Sequence, residues 1–184
     1  GMEGVTLGDL IVFAVSRTLT NPEHAALNAH FLGDRMRFFK GVHLGIAVDT
    51  KRGLMVPVLR NANEKTLLQI SRETKALAAA CQSGAIDPDI LTGGTFTVSN
   101  LGALEVEHFT PVINPPQTGI LGVNTIHQRV REKDGGVEVY PAMTLSLTYD
   151  HRALDGAPAS RFLRDLKRGL ENLPMLLGGG LYHG

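Results

Sequence analysis

Tryptophan is missing from the 184 residues, and cysteine occurs once, at Cys81. A lone cysteine leaves no partner for an internal disulfide, which suits a reducing compartment. Aromatic residues make up only 5% of the chain, too few for the platforms on which nucleic-acid bases stack. An excess of either charge is lacking too: Lys plus Arg and Asp plus Glu each number 18, so nothing in the total draws the chain to nucleic acid or an anionic membrane. No apolar run is long enough for a membrane span, and no signal peptide opens the chain. Repeats, charge blocks and linker-like stretches are also wanting. What remains is one soluble domain, 43% hydrophobic and large enough for a sizeable core. Gly1 before Met2 reads as a scar of tag removal, so the numbering is expected to start inside a longer protein.

Three helices are written as stripes. Leu7, Leu10, Ile11, Ala14, Val15 and Leu19 recur at helical spacing behind Thr6, an N-cap residue type, and Asn21-Pro22 ends the run. Leu67, Ile70, Thr74, Leu77 and Cys81 form a second stripe, closed at Ser83-Gly84, and Ala159, Phe162, Leu163, Leu166, Leu170 and Leu173 a third. Between the first two, HLGIAVDTKRGLMVPVLR predicts two strands joined by a turn at Thr50–Gly53, with Pro57 marking an edge or bulge. Further strands are expected at Thr95–Val98, at Ile120–Thr125, near Gln128–Glu132 and at Val137–Tyr140. A final strand shows period-two alternation, Met143, Leu145, Leu147 and Tyr149 against Thr144, Ser146 and Thr148. The order predicts an α+β fold, a two-layer sandwich of helices on a mixed sheet.

That final strand delivers Asp150, His151 and Arg152 to a turn, with Asp155 and Gly156 just beyond. An imidazole serves as a base near neutral pH, and a strand end holds it on a stiff scaffold. An acid four residues on can orient or balance it. Taken alone, a His-x-x-x-Asp is read first as structure, with Asp150, Arg152 and Asp155 forming an ion-pair cluster where a strand meets a helix. Metal binding is not expected, because no further His or Cys stands at ligand spacing. Ser99 in TFTVSNLG reads, on its own, as a hydroxyl capping a turn at Asn100–Gly102.

DHRALDG, with TGGTFTVSNLG, VINPPQTGILGV and GIAVDTKRGLMVPVLRNANEKTLLQI, closely resembles the catalytic domain of the dihydrolipoamide acyltransferases. These are the E2 components of 2-oxo acid dehydrogenase complexes, with a fold like that of chloramphenicol acetyltransferase. The likeness runs in family order from about Val5 to Leu177. It implies residues 1–177 as a catalytic domain without the helix and strand that open the family's domain, and 178–184 as a glycine-rich tail.

The resemblance implies chemistry as well. His151 would be the general base on the thiol of coenzyme A or dihydrolipoamide, Ser99 the donor to the oxyanion, and Asp155 a support for the turn. Phe109 and Leu121 would lie near the substrate channel. Coenzyme A would be a substrate, and the lipoyl group would arrive on a separate domain, since no lysine here is a lipoylation candidate. The site would lie between subunits of a homotrimer, with trimers able to build a larger core through Pro174–Leu177, alongside the E1 and E3 components. The location implied is bacterial cytoplasm or mitochondrial matrix. Two other readings stay open: a non-catalytic scaffold of the same fold, and an O-acyltransferase like chloramphenicol acetyltransferase. The acyl group is not legible.

Overall fold

The computed structural model describes residues 4–178, so the tail at 179–184 lies outside the described residues. Helix α1 (Leu7–Thr18) starts where its cap predicts. Asp9 N–H donates to Thr6 Oγ1 at 3.2 Å, and Thr6 N–H donates back to Asp9 Oδ2 at 2.8 Å. That reciprocal box satisfies two orphan donors and contributes about 1 kcal/mol. A second box, Thr66 with Gln69, opens α2 (Leu67–Ser83), which Gly84 ends at φ 75°. Helix α3 (Gly156–Glu171) and the short α4 (Leu173–Leu177) close the described chain.

Among the described residues, nine strands form between them. β1 (Ala29–Phe31) and β2 (Met36–Phe38) make a small ribbon, as do β4 (Val48–Thr50) and β5 (Gly53–Met55). The main sheet runs β6 (Val58–Leu59), β3 (Leu44–Ile46), β7 (Phe96–Asn100), β8 (Gly119–Lys133), β9 (Gly136–Tyr149). Its centre is parallel, β3 to β7 to β8, and both edge strands are antiparallel. Leu44, Phe96, Val98, Leu121 and Val123 point to one face and share a core with α1, α2 and α3. The sheet is mixed and the helices form one layer on it, as the α+β reading expects.

Two expectations need correction. The run from His43 to Arg60 is four short strands, two in the main sheet and two in a separate ribbon. The turn at Thr50–Gly53 is where it was read, and Pro57 does precede an edge strand, because a residue without N–H cannot join a central ladder. The separate strands expected between residues 120 and 140 are instead one long hairpin of β8 and β9. Asp134 and Gly135, at φ 53° and 75°, form its left-handed turn. Asp-Gly is the dipeptide that prefers this geometry, so the signal was present in the sequence.

Candidate active site

Asp150 builds the turn that carries His151. Its N–H donates to Thr118 O at 2.8 Å as the sheet's last rung, and its own C=O accepts from Ala153 N–H at 2.9 Å. Its carboxylate accepts Arg152 Nε at 2.9 Å, Arg152 Nη2 at 2.7 Å and the Arg152 backbone N–H at 3.0 Å. This fork holds the Asp150 carboxyl below its usual range and the guanidinium above its own. Arg152 also lies 4.4 Å over the Phe31 ring. Buried Leu154 then anchors the chain before α3 begins. His151 is left pointing outward, with 70% of its side chain exposed and the Tyr149 ring at 5.6 Å. Its Nδ1 stands 3.6 Å from Asp155 Oδ1, an ion-pair spacing too long for a hydrogen bond, and Asp155 is itself 84% exposed. The structural ion pair of this turn is therefore Asp150 with Arg152, and the imidazole is free of it.

Ser99 sits on β7 beside Gly122 of β8, on the sheet face away from the helices. The turn after it is capped by Asn100, whose Oδ1 accepts from Gly102 N–H at 2.9 Å, so the Ser99 hydroxyl is not the capping group. Among the described residues that hydroxyl makes no hydrogen bond. Ser99, Gly122 and Ser146 form one row across β7, β8 and β9. The Phe109 ring packs over the glycine: a Cβ there would stand 2.9 Å from the Phe109 Cζ. The segment around Phe109 is pinned across this face by Thr144 Oγ1 donating to Glu107 O and by Thr125 N–H donating to Val106 O, both at 2.8 Å.

The same face holds Asn124, 2% exposed, whose Nδ2 donates to Thr144 O, Thr144 Oγ1 and Ser146 Oγ. Its Oδ1 and the Thr148 Oγ1 are buried without partners among the described residues. Each such group costs about 1–3 kcal/mol unless something bonds it. Tyr149, Asn124, Ser146 and Thr148 went unassigned in the sequence, although the apolar–polar alternation of β9 already places the hydroxyls on one face.

Two of the predicted residues part company here. Leu121 is fully buried on the helix side, so within this chain it faces the core and not the Ser99 face. Phe109 is half-buried on the Ser99 face. Ser99 and His151 are also apart. With strands about 4.8 Å apart and about 3.3 Å per residue, Ser99 lies roughly 14 Å from Tyr149 and farther from His151. Hydrogen-bond reach is a few ångströms, so the two cannot act on one atom from the same chain.

Three further titratable groups sit in packed surroundings away from this turn. His24 is buried against Phe162, with Nε2 3.0 Å from Asp165 Oδ2, and burial pushes its pKa down against the pull of that carboxylate. His43 is likewise lowered by burial and by Arg60. Burial pushes the Cys81 thiol up, away from the reactive thiolate. No cluster of three or more metal-ligating side chains occurs among the described residues. None of their helices is long and apolar enough to cross a membrane.

Comparison with known proteins follows the same lines. The family described as 2-oxoacid dehydrogenases acyltransferase (catalytic domain) matches residues 2–178. The acetyltransferase component of the acetoin cleaving system of Bacillus subtilis is 40% identical over 154 residues, which is 84% of this chain and 39% of that protein. The corresponding component of the pyruvate dehydrogenase complex of Rickettsia conorii is 35% identical over 173 residues, 94% of this chain and 42% of that protein. The chain thus spans about two fifths of the length of these relatives. Among solved structures, a dihydrolipoamide acetyltransferase of Azotobacter vinelandii superposes at TM-score 0.86 with 35% identity, covering 94% of this chain and 71% of that one. That enzyme was studied for the role of a serine, a histidine and an asparagine in its catalytic mechanism. The cubic core of a pyruvate dehydrogenase multienzyme complex gives the same figures. A probable dihydrolipoamide acetyltransferase of Listeria monocytogenes superposes at 0.85 with 34% identity, covering 92% and 71%. Chloramphenicol acetyltransferase, at TM-score 0.51 and 12% identity over 90% of this chain and 78% of that one, shares the fold.

Proposed function

The chain belongs to the 2-oxoacid dehydrogenase acyltransferase catalytic-domain family, and on that premise we propose that it moves an acyl group between dihydrolipoamide and coenzyme A, with His151 as base and Ser99 as oxyanion donor. A spacing carries the residue assignment. The serine and histidine studied in the Azotobacter enzyme are 52 positions apart and its asparagine follows by four. Ser99, His151 and Asp155 stand at the same intervals.

His151 takes the proton from the coenzyme A thiol, which at a pKa of about 8.5 is mostly protonated at neutral pH. The thiolate attacks the carbonyl carbon of the acyl-dihydrolipoyl thioester and forms a carbon–sulfur bond, while the carbonyl oxygen becomes an oxyanion. The Ser99 hydroxyl donates to that oxygen. Collapse breaks the bond to the lipoyl sulfur, which leaves as a thiol with the proton returned by His151. Both thiols are substrates, and the lipoyl group arrives on a separate domain.

The separation of the two residues supports a site shared within an assembly. His151 is solvent-exposed on one edge, Ser99 opens onto the far face, and that face holds buried acceptors without partners. A site completed by the next protomer, in a trimer or a multiple of it, satisfies all three observations. The exposed cross-strand pair Val130 and Val139 on the projecting hairpin adds an apolar surface suited to contact between copies. Residues 1–177 form the catalytic domain in this reading, in a complex with E1 and E3 components. A reducing compartment, cytoplasm or mitochondrial matrix, suits the unpaired Cys81.

The test is transfer from acetyl-CoA, with dihydrolipoamide and chloramphenicol offered as competing acceptors. Transfer to the dithiol that disappears in His151→Ala is expected; a preference for chloramphenicol, or activity retained in that variant, overturns the reading.

A further inference from the structure

The connection from β7 to β8 crosses the Ser99 face and is held to it at few points. After one helical turn at Gly102–Leu104 it leaves through Glu105, a non-glycine residue at φ 60°, and residues 106–113 adopt no regular structure. A side chain in that left-handed region strains the backbone, and such strain persists only where the surroundings impose it. Among the described residues, 106–113 make two hydrogen bonds: Val106 O accepts from Thr125 N–H and Glu107 O from Thr144 Oγ1, both at 2.8 Å. Just beyond them the Phe109 ring lies on Gly122, with Pro111 beside it.

Thr144 is held in turn. Asn124 Nδ2 faces Thr144 O at 2.9 Å, and because a carbonyl only accepts, this fixes which end of the amide is which. The same nitrogen donates to Thr144 Oγ1 at 3.1 Å and to Ser146 Oγ at 3.2 Å. Receiving a hydrogen bond from Asn124, the Thr144 hydroxyl directs its own proton to Glu107 O. The donors therefore run one way, from Asn124 to Thr144 to Glu107. The arrangement costs stability: Asn124 is 2% exposed, and its Oδ1 is buried without a partner among the described residues, which an apolar side chain would avoid.

We propose that Asn124 and Thr144 are positioning residues for acyl transfer: their relay clamps the β7–β8 connection so that the Phe109 ring stays over the row Ser99, Gly122, Ser146. The ring rests one strand away from Ser99 and walls the space in which a substrate carbonyl meets that hydroxyl. A wall that drifts misplaces the carbonyl, and misplacement by about 1 Å costs up to about a hundredfold in rate. This role rests on the catalytic reading above, and a readout independent of activity keeps the two apart.

Thr144→Val removes the hydroxyl and keeps a strand-forming residue, whereas Thr144→Ser keeps the hydroxyl and removes a methyl. Amide hydrogen exchange reads the clamp at Thr125 N–H. Gly122 and Ser146 are the control, a hydrogen-bonded pair of the ladder because Asp150 N–H bonds Thr118 O in the same alternation. Transfer from acetyl-CoA to dihydrolipoamide reads the reaction. In Thr144→Val, Thr125 should exchange about tenfold faster with the control amides unchanged. Its kcat should fall about tenfold, with KM for acetyl-CoA within about twofold and melting temperature not lowered. Thr144→Ser should restore both readings. If Thr144→Val does not fold, Asn124→Ala, which removes the unpaired oxygen together with the donor, should show the same two changes. Unchanged Thr125 exchange overturns the proposal, as does kcat retained while that exchange speeds up, or a serine variant as impaired as the valine one. An unaltered chain that transfers nothing to dihydrolipoamide overturns the catalytic reading itself, and this role with it.

Discussion

His151 stands clear of its neighbours: Asp150 is committed to Arg152, and Asp155 stays 3.6 Å from the ring. Exposed pairs of this kind are worth about 0–1 kcal/mol, so Asp155→Asn should lower kcat by less than about tenfold, whereas His151→Ala should cost about 100- to 10,000-fold. Steady-state rates with acetyl-CoA and dihydrolipoamide separate the two. Loss of equal size in both variants would make Asp155 part of the proton path. Ser99→Ala should lower kcat by about 100- to 1000-fold with little change in KM, the mark of a bond made in the transition state. Gly122→Val tests the row beside it. Its side chain would drive the Phe109 ring off the face, so transfer should fall more than melting temperature does; the reverse order would make Phe109 purely a packing residue.

Among the elements, the helices were the most legible, because a cap residue and a 3.6-residue stripe are both local signals. Thr6 caps the start of α1 and Gly84 caps the end of α2, as the sequence predicts. The β8–β9 hairpin was not recovered, although Asp134-Gly135 marks its turn. Its outer half alternates weakly, with Val130, Val137 and Val139 exposed, so burial gave no period to follow. Leu121 shows a different limit. In Ile120–Val123 both sheet faces are apolar or glycine, as parallel central strands are, and alternation cannot tell which residue faces the helices. Gly135 sits at φ 75°, so Gly135→Val should destabilise the fold by about 1–2 kcal/mol in urea unfolding.

The buried contact of His24 with Asp165 ties the loop after α1 to α3 and gives that element a pH signature. Desolvation lowers the folded pKa of His24, with Glu23 and Asp165 opposing and Arg164 assisting. The unfolded chain therefore takes up a proton near pH 6.5 that the folded chain refuses. The contribution is fully present above about pH 6.5 and is lost as pH falls toward the lowered folded value. Melting temperature should drop across that window, and His24→Gln should flatten the drop; an unchanged slope would remove His24 as its source.

For the whole molecule, the proposed site is written in the sequence only as a set of residues, not as an arrangement. DHRALDG and TFTVSNLG name the imidazole and the hydroxyl, but nothing in one sequence states that folding leaves them more than 14 Å apart. Their separation follows from strand register, Ser99 level with Ser146 while His151 lies beyond Tyr149. In the proposed reading the fold presents two half-sites, and the account rests on their meeting between copies. The most direct measurement co-expresses His151→Ala chains with Ser99→Ala chains and assays the mixed assembly. Each variant alone should be nearly inactive. In a statistical 1:1 mixture, about a quarter of shared sites combine an intact histidine with an intact serine, so about a quarter of the unaltered activity should return. Activity no higher than that of either variant alone, in assemblies verified to contain both chains, would contradict a site shared between protomers.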